Sequence, residues 1–178
     1  MNSIDRNEPE DSFRNLRGRE AVERIEHTVA KTQTCFFCTR SAAGSSNGVR
    51  PMGVREVDAD GNLWFLSAND SHKNREIAAS PEVTLFFQGS EHGDFLHLKG
   101  RATVSTDRAR IRELWSPLIK TWFTEGVDDP RITVIKVTPV EGYYWDTKHG
   151  AAVAGVKMLI GAATGKTLDH SVQGQVRP

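Results

Sequence analysis

Two stretches of near-regular alternation constrain this chain more than any other feature. In Glu82–Gln88, Val83, Leu85 and Phe87 alternate with Glu82, Thr84, Phe86 and Gln88. In Phe95–Ser105, Leu96, Leu98, Ala102 and Val104 alternate with Phe95, His97, Lys99 and Arg101. Successive side chains on a strand point to opposite faces, so a period of two marks a strand with one buried face. Only a short polar stretch separates the two strands, and such a link suits an antiparallel pair.

The flanking segments read consistently with this. Residues 18–31 form a helix, with Val22, Ile25 and Val29 on one side and Glu20, Glu23, Arg24 and Glu26 on the other. The aromatic- and threonine-rich run 32–40 is a strand, followed by a turn at 44–48 and a second strand over 49–57. Asp60-Gly61 then turns the chain into a strand over 62–67, which predicts a hairpin. A short polar helix spans 71–79 and stops before Pro81. Asp107 starts a helix whose stripe is Ile111, Leu114, Trp115, Leu118, Ile119 and Trp122, kinked by Pro117. Two further strands cover 131–138 and 141–146, after a loop at 126–130. The last thirty residues, rich in Gly and Ala, show little periodicity.

About seven strands and two or three helices, without βαβα alternation, exclude a doubly wound sheet. Consecutive strands joined by short turns predict an antiparallel sheet that curls toward closure, since closure removes exposed edges. The expected class is mainly β (α+β), a small barrel with peripheral helices. At 178 residues the chain suits one domain, placed at 18–165 between a flexible tail at 1–17 and a C-terminal tail at 166–178.

Lys and Arg number 23, as do Asp and Glu, which gives no basic footprint for nucleic acid or an anionic membrane surface. No run approaches the ~18 apolar residues of a membrane span. The polar N-terminus lacks a signal-peptide core, so a cytoplasmic location is expected.

Several motifs fail on spacing. Gly165-Lys166-Thr167 lacks the upstream glycine of a phosphate-binding P-loop, because Ile160 stands there. Cys35 and Cys38 have the CxxC spacing, but three residues apart on a strand they face opposite ways and read as structural thiols. The 6 histidines show no metal-binding spacing, and no nucleophile motif is present. No residue stands out as a general acid or base.

The chemistry concentrates in Arg50-Pro51-Met52, Leu63-Trp64-Phe65-Leu66-Ser67 and Ser71-His72-Lys73. A lysine and a hydroxyl in the first turn of a helix, directly after a strand, suit a phosphate, because a helix N-terminus offers unpaired N–H groups and partial positive charge. Arg50, on the partner strand of the same hairpin, would point a guanidinium fork at that site. Read alone, Arg50 and Lys73 are more often ordinary solvated surface charges than a site.

These runs, with SHKNREIAASPEVTLFF, LHLKGRATV, DRARIRELWSPLIKTWF, GVDDPRITVIKVTP and GYYWD, resemble the FMN-binding split barrel of pyridoxamine 5′-phosphate oxidase-like proteins, in particular the general stress protein branch. The resemblance covers about residues 20 to 165. It implies a split barrel whose FMN phosphate is held by Arg50 and Lys73, with Ser71 as hydroxyl partner. It implies that Phe65, Leu66 and Ser67 run beside the isoalloxazine ring, and that Pro51 and Met52 pack near it. His72 stands where the oxidase has a second basic residue, and histidine titrates near neutrality. The oxidase's substrate-gripping C-terminal region has no counterpart, so pyridoxamine phosphate oxidation itself is not implied.

The resemblance also implies a homodimer with flavin at the subunit interface, for which Trp115, Trp122 and Trp145 are wall or interface candidates; each reads equally well as a core aromatic. Three functions stand open. One is a flavin-dependent oxidoreductase acting with a reduced nicotinamide or another small-molecule redox partner. The second is a non-enzymatic FMN-binding stress protein. The third is the same barrel carrying a deazaflavin or haem.

Overall fold

The computed structural model describes residues 12–40, 48–90, 93–147 and 171–178. The expected turn at 44–47, the Gly165-Lys166-Thr167 run and residues 1–11 of the N-terminal tail lie outside these.

Strand β1 (Leu16–Arg17) leads into helix α1 (Arg19–Thr32), then β2 (Thr34–Thr39), β3 (Val49–Gly53), β4 (Glu56–Val57) and β5 (Leu63–Ala68). Helix α2 (His72–Ala79) follows, then β6 (Glu82–Gln88), β7 (Phe95–Ser105) and α3 (Arg108–Leu114). Short 3-10 turns at Pro117–Thr121 and Gly126–Asp128 precede the long β8 (Ile132–Thr147) and the final β9 (Ser171–Arg177).

The nine strands form one sheet in the order β1-β9-β8-β7-β6-β2-β3, with β5 pairing to β8 and β4 to β5. All pairings are antiparallel except β1 with β9. The expected strand over 49–57 breaks at Val54 and Arg55. Its first part pairs with β2 and its last two residues pair with β5, so the barrel is split between β3 and the far half of β5. Gly61 makes the β4–β5 turn at φ 81, a left-handed angle that favours glycine.

The alternation of β6 and β7 is borne out for Val83, Leu85, Phe87, Leu96, Leu98 and Ala102, all buried, but not for Val104, which is exposed at the end of β7. They join Phe37, Leu63, Phe65, Ile135 and the α1 residues Ala21, Ile25 and Val29 in the barrel core. A second cluster, Ile111, Leu114, Ile119, Phe123, Ile132 and Val134, packs α3 and the following turn against the other side of β8, with Leu66 at its margin.

Three expectations change. The strands over 131–138 and 141–146 are one strand, β8. Pro139 sits where the β7–β8 register shifts, a bulge that absorbs its missing N–H without ending the strand. The stripe after Asp107 holds for Ile111, Leu114 and Ile119 but not for Leu118 or Trp122, which are 80% and 71% exposed. The cause is Pro117, which converts the second half to 3-10 geometry and rotates those positions outward.

The described parts of the expected tails hold strands. Residues 171–177 add β9 to β8, and β1 lies along β9, with Tyr144 donating to the Arg14 carbonyl at 2.9 Å. No described helix is long and apolar enough to cross a membrane.

Candidate functional site

Helix α2 begins immediately beyond β5 and sits beside the split. Ser71 caps it, its hydroxyl accepting from the Asn74 N–H at 3.3 Å, and the Ser67 and Ser71 hydroxyls lie 3.2 Å apart. Asn74, buried, donates to Thr133 at 2.8 Å, and Thr133 donates to the Ser67 carbonyl at 2.9 Å. These bonds fasten the first turn of α2 to β5 and β8.

One face of α2 is buried at Lys73, Asn74, Glu76 and Ile77. Lys73 and Glu76 are three residues apart and therefore neighbours on that face. Glu76, buried, forms an ion pair at 2.8 Å with Arg50, which is partly buried. Thr39 closes the cluster: it donates to the same Glu76 oxygen at 2.5 Å and accepts from Arg50 Nη1 at 3.1 Å.

The Arg50 strand is β3, which forms its hairpin with β2, where Arg50 stands opposite Phe37. The expected shared hairpin with β5 is thus corrected: β4 is the strand that turns into β5. The break at 54–55 separates the two. Arg50 still meets α2, because the split lets the helix reach β3.

Lys73 is the unusual group. It is only 8% exposed, and no hydrogen bond or ion pair reaches its ammonium among the described residues. Burial, and then the nearby Arg50 charge, lower its pKa from 10.5 to about 8, while Glu76 pulls the other way. Glu76 offsets only part of this desolvation and of the Arg50 repulsion, so a further anion beside the ammonium is favoured.

The other candidate residues divide. Phe65 points into the core and meets Phe37 edge-on, ring centroids 5.2 Å apart, so its side chain is committed to packing. Leu66 contributes backbone. The Trp64 carbonyl accepts from the Arg55 N–H at 2.8 Å, and antiparallel alternation turns the Leu66 N–H and carbonyl to that same edge, past the end of β4. Met52 packs against the core, His72 is exposed, and Pro51 faces outward.

Pro51 instead joins a row of side chains across the outer face of the sheet. Registered neighbours Pro51, Phe36, Phe86 and His97 line a groove of about 670 Å³ with Phe95 and Trp145. Phe36, Phe86 and Trp145 are 58%, 46% and 44% exposed. His97 stacks on Phe86 at 4.9 Å. Among the described residues, no contact brings exposed Trp122 to either the charged cluster or the groove.

Sequence reasoning missed Glu76 and Thr39. The spacing of Lys73 and Glu76 on one short helix carried a signal for the first; for Thr39 only the pairing of β2 with β3 reveals it.

A family model described as pyridoxamine 5′-phosphate oxidase like matches residues 20–169. The chain belongs to that family. A curated relative, protein bli-3 of Neurospora crassa, is 27% identical over 126 residues; the match takes in 66% of this chain and spans only 60% of that protein's length. Among solved structures, one assigned as general stress protein 26 of Jannaschia sp. is 25% identical with a TM-score of 0.69, covering 88% of this chain and 95% of its own. A general stress FMN/FAD binding protein of Xanthomonas citri is 21% identical with a TM-score of 0.56, covering 67% and 82%. The family's split barrel is the fold observed here.

Proposed function

We propose that this chain binds FMN and acts as a flavin-dependent oxidoreductase with a reduced nicotinamide or another small organic partner. The observation that carries the reading is the largely buried Lys73, whose ammonium has no hydrogen bond among the described residues, beside Arg50 at the start of α2, which fits a terminal phosphate. The description of the X. citri relative as FMN/FAD binding supports it. Bound FMN supplies the redox chemistry; the protein contributes binding, orientation and hydrogen bonds.

In this reading Lys73 and Arg50 hold the phosphate, Ser71 adds a hydroxyl, and the Leu66 backbone on the open β5 edge faces the ring. The exposed row Phe36, Phe86 and Trp145 supports a homodimer in which each chain's groove walls the partner's flavin, since an aromatic patch of this kind marks an interface. The absorption spectrum of purified protein tests the cofactor: a flavin spectrum with FMN released on denaturation is expected, and a haem or deazaflavin spectrum overturns it. Anaerobic bleaching by a reduced nicotinamide or by the organic partner supports the enzyme. A flavin that only dithionite reduces leaves a binding protein without this activity.

A further inference from the structure

The Glu76 carboxylate has no place in a simple phosphate grip, because it is a buried anion set beside the two cations that would hold the ligand. Its oxygen Oε2 accepts from both Arg50 Nη2 at 2.8 Å and the Thr39 hydroxyl at 2.5 Å, and Arg50 Nη1 donates to that same Thr39 oxygen at 3.1 Å. The three groups form a closed triangle that ties α2 to β2 and β3 across the split. An arginine side chain has several rotatable bonds, and fixing its planar fork before the ligand arrives removes an ordering cost from binding. Charge-assisted hydrogen bonds of this length are among the stronger that proteins make.

The charges also count. Arg50, Lys73 and Glu76 together leave one net positive charge. Within the triangle Arg50 is matched by Glu76, so the charge left for an incoming anion to neutralise is the Lys73 ammonium.

We propose that Glu76 is a positioning residue of the phosphate site, holding Arg50 and Thr39 in the binding geometry while leaving Lys73 as the charge that the phosphate meets. The proposal rests on the FMN reading above. It distinguishes the acceptor role of Glu76 from its charge. Near a phosphate the negative charge repels, whereas the oxygen orients.

The test titrates FMN and riboflavin, which differ by the phosphate, into ligand-stripped wild type, Glu76→Gln and Glu76→Ala. Glu76→Gln keeps an acceptor oxygen and removes the charge; it is expected to bind FMN as tightly as wild type or several-fold tighter. Glu76→Ala removes both and is expected to bind FMN at least tenfold more weakly than Glu76→Gln. Riboflavin affinity stays the same in all three.

Equal FMN affinity in the Gln and Ala variants overturns the positioning role, since charge alone would then account for Glu76. Riboflavin weakening in step with FMN also overturns it, because that is what a merely structural residue gives. If Glu76→Ala fails to fold, Thr39→Val takes its place by opening the triangle from the other side. Weakened FMN binding with unchanged riboflavin binding is then expected, and unchanged FMN binding overturns the proposal. Wild-type protein that gains nothing from the phosphate overturns the FMN reading, and the positioning role with it.

Discussion

Replacing Lys73 with methionine separates a ligand-binding lysine from a structural one. The lysine is buried without a hydrogen bond, and its pKa falls from 10.5 to about 8 in the folded protein. A depression of that size corresponds to about 3 kcal/mol at ~1.4 kcal/mol per unit. Local relaxation and water entry reduce this, so about 1–3 kcal/mol is the working figure. The sign follows from proton binding. Below pH 8 both folded and unfolded chains carry the charged lysine, and the folded chain bears the full penalty. Between pH 8 and 10.5 the unfolded chain binds the extra proton, so stability from this group rises with pH.

Lys73→Met keeps most of the side chain's volume and abolishes the penalty. At pH 7 the ligand-stripped variant is therefore expected to melt about 2–12 °C above ligand-stripped wild type, using ~2–4 °C per kcal/mol for a chain of this size. The gap closes as pH rises toward 10. Differential scanning calorimetry on matched samples at pH 7, 8.5 and 10 measures it. The same variant is expected to lose most of its FMN affinity. A variant that melts below wild type at pH 7, or a gap that ignores pH, would refute the reasoning.

Four further outcomes are expected. FMN affinity, followed by quenching of flavin fluorescence, is constant between about pH 7 and 8, above the second phosphate pKa of about 6, and weakens by up to about tenfold per pH unit above pH 8 as Lys73 deprotonates, while riboflavin affinity does not follow. Phe65→Ala empties a fully buried site against Phe37 and costs about 3–5 kcal/mol in urea unfolding. Gly174→Ala would drive a Cβ into the Arg14 carbonyl oxygen, so it forces β9 from the N-terminal segment and lowers stability by about 1–3 kcal/mol. Phe36→Lys with Phe86→Lys puts charge on the exposed row and is expected to yield monomers in analytical ultracentrifugation; dimers persisting at micromolar concentration would count against the groove as the seam.

Much of the barrel was legible because its strands are half-buried and antiparallel. Val83, Leu85 and Phe87 announce an inward face by period alone, and Asp107 and Ser71 announce helix starts by their capping chemistry. What sequence hid was pairing. Arg50 could be assigned to a strand, yet its neighbour depends on the break at 54–55, which no local signal marks. The β8 bulge let Pro139 pass as a boundary, since proline usually ends a ladder. β9 went unseen because only Val172 and Val176 of Ser171–Arg177 are apolar; both meet the core once the strand pairs with β8. At the site, Arg50 and Lys73 were recognisable by type and position. The Glu76–Thr39 partnership was not, because it exists only once α2 lies over the split.

The central claim is that Arg50 and Lys73 read the phosphate of FMN. Its most direct measurement is the ratio of FMN to riboflavin affinity in wild type and in the Arg50→Ala, Lys73→Ala double variant. A large FMN preference is expected in wild type, falling close to one in a folded double variant. A double variant that keeps the wild-type preference would contradict it.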